Sequence, residues 1–184
     1  STRSFTEGFY YVPRMDKELL AEHGEGLICQ SACLSGEVPY YARHDDLARA
    51  TAAAMEMRDI FGDRYYLEIQ RNGTEGQEPV NQLILQIARE TNIPVVASQD
   101  IHFVDPSDHQ AHEVKTCIGM GRVLRDNKLK HAAGLCFGDT QQKNERSIYV
   151  EFEVINAVEV SQRKDRERDL GNAHLTHYDP PGGE

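Results

Sequence analysis

The uninterrupted apolar run Ile93-Pro94-Val95-Val96-Ala97 constrains the fold of this chain more than any other feature. A strand with one solvated face alternates apolar and polar residues, whereas a parallel strand covered on both faces reads as a continuous apolar stretch. A helical stripe of Val80, Leu83, Ile84, Ile87 and Ala88 comes before the run, with Pro79 suited to a first turn and Asn92 to the stop. Upstream, Tyr65-Tyr66-Leu67-Glu68-Ile69 is rich in aromatic and branched residues and reads as another strand.

The alternation extends in both directions. A helix is predicted from about Asp45, with Asp45 or Asp46 as N-cap, Leu47, Ala50, Ala54, Met55 and Phe61 on one face, and Gly62 as the stop. Gly26-Leu27-Ile28-Cys29 begins an apolar stretch that ends near Cys33-Leu34 and reads as a strand. Asp105-Pro106 opens a further helix carrying His109, His112, Val114 and Ile118. The order β-α-β-α-β-α predicts an α/β fold of parallel strands joined by right-handed crossovers. Three or four strands cannot close a barrel, which normally takes about 250 residues. The favoured reading is part of a larger, TIM-like (β/α) barrel, with a small open sheet as the alternative.

Beyond about residue 122 the pattern weakens. Arg163-Lys164-Asp165-Arg166-Glu167-Arg168 reads as a solvated helix face, and 171–184, with Pro180-Pro181-Gly182-Gly183, as an extended linker.

With 184 residues and a formal charge of -10, the chain suits one domain with a core, not a simple basic nucleic-acid-binding module. An acidic metal site that handles phosphate through its ions stays open. Cys29, Cys33, Cys117 and Cys136 form no CxxC pair, which argues against a zinc knuckle and fits reduced thiols in a cytoplasmic protein. No apolar stretch approaches the ~20 residues of a membrane span, and no signal peptide opens the chain. Its first residue is Ser rather than Met, which points to a fragment or a processed product.

Asp100-Ile101-His102 follows the apolar run. In a strand, residues two apart share a side at a spacing of about 7 Å, so a carboxylate and an imidazole would face one point where a divalent metal commonly sits. The triplet alone is a weak signal, and its place at the end of a buried strand gives it weight.

Four stretches taken in order carry a resemblance: GFYYVPRMDKELL (8–20), EGLICQSACLSGEVP (25–39), IFGDRYYLEIQRNG (60–73) and IARETNIPVVASQDIHFVDPSDHQAHEV (87–114). Together they resemble the PHP (polymerase and histidinol phosphatase) domain of bacterial DNA polymerase III alpha subunits. DLGNAHLTHYDPPGGE (169–184) is similar to the segment leading toward the polymerase palm. The resemblance implies a distorted (β/α) barrel of the PHP type, here its C-terminal half. Residues 1–122 would be the C-terminal part of the PHP domain, and 123–184 its end and the connection toward the palm.

The resemblance also implies a cluster of divalent ions (zinc, manganese or magnesium) at the C-terminal ends of the strands. The family's last Asp-x-His pair falls on Asp100 and His102, and the ligand of its Cys-Leu-Ser-Gly-Glu segment on Cys33. The remaining ligands, beginning with a His-x-His motif, belong upstream of the GFYY segment. Glu68 reads as a structural carboxylate behind the ligands. One departure stands out: the family usually places His after its Glu-Leu-Gln strand, whereas Arg71-Asn72-Gly73 follows Glu68-Ile69-Gln70 here.

In a complete site the ions would hold a phosphodiester and turn bound water into a nucleophile near neutral pH. The implied activity is phosphodiester hydrolysis, as 3′-5′ removal of terminal nucleotides, in a parent DNA-directed DNA polymerase acting on primer-template and deoxynucleoside triphosphates beside other replisome subunits. With a partial ligand set, the isolated chain is expected to be inactive.

Each candidate also has a structural reading. Cys33 suits a buried small hydrophobe, Asp100 a turn cap, and His102 a satisfied strand-end histidine. His109 and His112, three apart on a helix, are read as solvated or packed rather than site-facing, and Tyr10, Tyr11, Tyr65 and Tyr66 as core and rim packing. Two other functions compete: a non-catalytic scaffold for the polymerase, and a stand-alone PHP phosphoesterase, against which the GFYY segment and the tail speak.

Overall fold

The structure, a computed structural model, describes residues 2–126 and the backbone of Val154–Asn156. The charge run at 163–168, the linker at 171–184 and Cys136 lie outside the described residues.

The chain opens with a short helix, α1 (Thr2–Thr6), and a hairpin of two-residue strands, β1 (Phe9–Tyr10) and β2 (Val12–Pro13), with Tyr11 at φ 61° between them. Helix α2 (Lys17–His23) starts where Asp16 accepts the Leu19 N–H at 2.8 Å. Strand β3 is only Cys29–Gln30, much shorter than the apolar stretch suggested. Ala32, at φ 64°, turns the chain out of the sheet, and a helix absent from the sequence reading, α3 (Glu37–Arg43), follows. Pro39 sits in its first turn, where a missing N–H costs nothing.

Helix α4 (Leu47–Phe61) starts at Asp46, whose carboxylate accepts the Arg49 N–H, and ends at Gly62. Its buried face is Ala50, Ala53, Ala54 and Phe61. Strand β4 (Tyr65–Gln70) is buried at all six positions. Helix α5 (Gln77–Thr91) carries the expected stripe and stops at Asn92 in the left-handed conformation. Strand β5 is Val95–Ser98, starting two residues later and ending one residue later than the apolar run Ile93–Ala97 suggested. A single 3-10 turn, Pro106–Asp108, then leads into α6 (His109–Gly119).

The sheet has the order β3-β4-β5-β6, where β6 is Val154–Asn156, and every pairing is parallel. Leu67 pairs with Val95 and Gln70 with Ser98. This is the mixed α/β arrangement with a small parallel sheet that the alternation predicted. One face of β4 and β5 (Tyr65, Leu67, Ile69, Val95, Ala97) joins residues of α3, α4 and α5 in the main apolar core. By the two-residue period, Tyr66, Glu68, Gln70, Val96 and Ser98 lie on the other face. Among the described residues no helix is long and apolar enough to cross a membrane.

Candidate functional site

Because the strands are parallel, residues that follow β3, β4 and β5 emerge at the same C-terminal edge of the sheet. Cys33, Arg71 and the Asp100-His102 pair all lie just past these strand ends. Neither Asp100 nor His102 is in β5, contrary to the strand-face reading: pairing with β4 stops at Gln70–Ser98 and pairing with β6 at Ala97–Asn156. The two side chains nevertheless meet. His102 Nε2 lies 3.2 Å from Asp100 Oδ2, and both are about one-third exposed.

The segment after the pair is locally well specified. Asp105 and Asp108 form a capping box around the 3-10 turn, with the Asp105 N–H donating to Asp108 Oδ2 at 3.1 Å. The capping box sets the start of α6, which brings two histidines over the pair. His112 meets His102 edge to face, with ring centroids 5.4 Å apart and planes at 85°. Buried Phe103 lies 5.5 Å from the His112 ring and 5.9 Å from that of His109, and His109 Nε2 is 3.8 Å from Glu113 Oε1. His109 and His112 thus face the Asp100-His102 segment, where the sequence reading had set them aside. The signal was their spacing of three behind a Pro-led helix start.

Cys33 goes elsewhere. It is half-buried in the turn between β3 and α3, where its carbonyl accepts the Gly36 N–H at 2.8 Å. With Glu68, Gln70 and Asn81 it lines a cavity of about 10 Å³. Such a space admits one water at most. Strands β3 and β5 flank β4, so their ends are about 10 Å apart at the usual inter-strand spacing.

Glu68, on β4, is buried but not isolated. Its Oε1 accepts from Gln70 Nε2 at 2.7 Å and from the Ser98 hydroxyl, and its N–H donates to Ser31 Oγ at 2.8 Å. Gln70 Oε1 is buried without a hydrogen-bond partner among the described residues. Sequence reasoning found Glu68 but missed Ser31, Gln70 and Ser98. Gln70 is two residues along the same strand face, and Ser98 pairs with it across the sheet.

Arg71 ties the end of β4 to α5: Nε and Nη2 grip the two oxygens of Glu78 at 2.8 and 2.7 Å. That guanidinium holds the Glu78 carboxyl below its ordinary value. Tyr65 and Tyr66 are core residues, but Tyr10 and Tyr11 are 63% and 82% exposed, against the expectation of packing. Two larger open clefts, of about 390 Å³ beside Arg3 and Arg14 and about 490 Å³ beside Arg58 and Pro94, contain none of the candidate residues.

The PHP domain family matches residues 1–72. The DNA polymerase III subunit alpha of Aquifex aeolicus is 40% identical over 126 residues, covering 68% of this chain and 11% of that protein. Its counterpart in Thermus aquaticus is 42% identical over 126 residues (68% of this chain, 10% of that protein). That of Campylobacter jejuni is 33% identical over 184 residues, 94% of this chain and 15% of that protein. The chain carries PHP-domain sequence of the DNA polymerase III alpha-subunit family.

The chain spans about 10–15% of the length of the curated relatives it matches. PHP domains generally depend on metal ions. Among the described residues, however, no three His, Cys, Asp or Glu side chains come together closely enough to hold one. A zinc ion needs about four donors and a magnesium ion about six. Asp100 and His102 offer a carboxylate and an imidazole at one point, so the described residues do not by themselves fit an ion cluster. Arg71, where the resemblance leads one to expect His, pairs with Glu78 and so forms a structural tie at that position.

Proposed function

We propose that this chain is the sheet-forming, C-terminal half of the PHP domain of a replicative DNA polymerase III alpha subunit. In this reading 1–122 belong to the distorted (β/α) barrel, and 123–184 complete it and lead toward the polymerase palm. The parent subunit extends primer-template DNA with deoxynucleoside triphosphates in the cytoplasm, in company with other replisome subunits. At the C-terminal edge of the barrel Asp100 and His102 would be donors to divalent ions (zinc, manganese or magnesium) whose other ligands lie outside the described residues, and Cys33, in a separate turn of the same edge, would be a donor only at a second position. Ions held there would supply phosphodiester hydrolysis of the 3′-5′ exonuclease type, and Glu68 would support the edge from beneath.

The meeting of Asp100 and His102 at 3.2 Å, at the strand-end edge where α/β sheets place their ligands, carries this reading. The test is made in a full-length alpha subunit containing this segment. Asp100→Asn and His102→Ala are expected to lower bound metal and divalent-ion-dependent release of 3′-terminal nucleotides, with primer extension retained. Unchanged metal content and unchanged nucleotide release in both variants would overturn the reading.

A second reading, the non-catalytic scaffold, draws on a different observation. Phe5, Phe9, Tyr10, Tyr11, Val12 and Met15 are each more than half exposed around the N-terminal hairpin. Such a patch is unusual for a monomer and suits burial against another surface. A parent subunit without bound metal, whose stability is unaffected by Asp100→Ala, would favour it.

A further inference from the structure

Seven asparagines occur in the sequence, and only Asn72 is followed by glycine. The Asn72-Gly73 pair lies in the loop from β4 to α5, just past the C-terminal end of β4. We propose that Asn72 is a site of spontaneous deamidation: the fold activates its side-chain amide toward the Gly73 nitrogen, and the residue becomes aspartate or isoaspartate. Water is the only co-reactant. The site is independent of the reading of Asp100 and His102 as metal donors.

The reaction needs an approachable nitrogen and an activated amide carbon. Gly73 is exposed, at φ 82°, and has no side chain to obstruct the approach of its nitrogen to Asn72 Cγ. Among the described residues its N–H donates no hydrogen bond, so no acceptor competes with solvent base for that proton. Asn81 and Asn92 are followed instead by Gln82 and Ile93, whose side chains crowd the same approach.

The Asn72 carbonyl oxygen is held twice. The Thr74 hydroxyl donates to Oδ1 at 2.7 Å, and the Thr74 N–H at 3.3 Å. A backbone N–H can only donate, which fixes Oδ1 rather than Nδ2 at that position. Asn72 is 4% exposed, and its own N–H donates to Gln77 Oε1 at 3.0 Å, so the residue is anchored from both sides. Negative charge accumulates on Oδ1 as the Gly73 nitrogen adds. Two donors already aimed at that oxygen stabilise the charge as an oxyanion hole does.

The steps balance with water alone. Solvent base takes the Gly73 amide proton, and the nitrogen electron pair forms a bond to Asn72 Cγ while the C=O π pair moves onto Oδ1. The carbonyl then re-forms, the Cγ–Nδ2 bond breaks, and Nδ2 leaves as ammonia after taking a proton from water. Water opens the resulting succinimide at either carbonyl. Opening at one gives aspartate, which keeps an acceptor for Thr74 and adds a carboxylate next to Arg71, which already grips Glu78. Opening at the other gives isoaspartate, which lengthens the main chain by a methylene in a loop tied to α5 through Gln77 and Glu78. The C-terminal edge thus carries a chemical change that accumulates as the molecule ages.

The test incubates the folded chain at mildly alkaline pH beside the same chain unfolded in urea. Peptide mapping by mass spectrometry, with enzymatic methylation of isoaspartate, follows residue 72. Conversion there is expected to run faster in the folded chain than in the unfolded one, with Asn81 and Asn92 unchanged over the same time. Thr74→Val removes the hydroxyl donor at nearly constant shape. It should slow the folded rate about 10-fold, less than the roughly 10²- to 10³-fold loss in a closed enzyme site because this loop is solvated. Thr74→Ser keeps both donors and should stay near the parent rate, and in urea all three should convert at similar rates.

Slower conversion in the folded parent than in urea would overturn the proposal, since the turn would then protect the amide. So would a folded Thr74→Val that converts as fast as the parent. Should Thr74→Val fail to fold, the folded-to-unfolded comparison of the parent decides alone.

Discussion

Gln70 and Glu68, two residues apart on β4, turn to the same side of the sheet, and the Gln70 amide donates to Glu68 Oε1 at 2.7 Å. The Ser98 hydroxyl reaches the same oxygen from the neighbouring strand, and Ser31 Oγ accepts the Glu68 N–H. Strands β4 and β5 and the residue just past β3 are thus joined by buried polar contacts. Glu68→Ala removes the shared acceptor and leaves the Gln70 amide and Ser98 hydroxyl wanting a partner, at a cost of about 1–3 kcal/mol. Glu68→Gln keeps the volume and one acceptor oxygen and should cost less. Urea denaturation should show a midpoint that falls in that order, with the slope unchanged.

Gly36 closes the turn that places Cys33. A Cβ built there would overlap the Ser31 carbonyl oxygen and crowd Ala32 and the Cys33 carbonyl. Backbone cannot rotate away as a side chain does, so Gly36→Ala should behave as overpacking and destabilise by about 1–3 kcal/mol. Thermal unfolding reads the loss. The thiol of Cys33 should also react faster with a maleimide, because the turn that half-buries it must open. An unchanged melting temperature would show that the turn gives way freely.

Elements with a long, unambiguous period were legible from sequence. The α5 stripe, the wholly buried β4 and the apolar β5 each satisfy one template over nearly their full length, and all three contribute to the main apolar core. What was misread depended on conformations that apolar pattern does not encode. Ala32 at φ 64° cuts β3 to Cys29–Gln30, and Glu37–Arg43 forms a helix despite Pro39 because the proline falls in the first turn. The Asp100-His102 pair was found through a strand argument that does not apply, since strand β5 ends at Ser98. The two side chains meet because they are local neighbours in the loop. The approach of His112 to His102 needed the orientation of α6, which no spacing within the sequence supplies.

Tyr65 presents a pH dependence with a definite sign. Its hydroxyl is buried without a hydrogen-bond partner among the described residues, and burial raises its pKa well above the ordinary value of 10.0. Burial likewise raises the Cys29 thiol above 9.0. Both groups stay protonated in the folded chain at pH values where the unfolded chain has begun to lose those protons. The folded state therefore keeps its full stability below about pH 8.5 and loses it progressively as pH rises past about 9 and then 10. Tyr65→Phe should be neutral to stabilising at pH 7, because the orphaned hydroxyl goes, and should flatten the decline above pH 10. Melting temperatures of the two proteins from pH 7 to 11 test this, and parallel curves would show that Tyr65 ionisation does not contribute.

The meeting of just one carboxylate and one imidazole, Asp100 and His102, sets a limit on what this chain does alone. Metal-assisted phosphodiester hydrolysis needs an ion held firmly enough to activate water and to bear charge as the leaving oxygen departs. A carboxylate and an imidazole at one point supply two of the donors such an ion needs, and Cys33 sits in a different turn, against a cavity with room for one water at most. The isolated chain should therefore release no nucleotides above background from a 3′-labelled oligonucleotide in manganese, magnesium or zinc. Millimolar ion should raise its melting temperature only slightly, since weak binding contributes little by mass action. Metal-dependent cleavage that vanishes in His102→Ala would show that the chain completes a working site from its own residues.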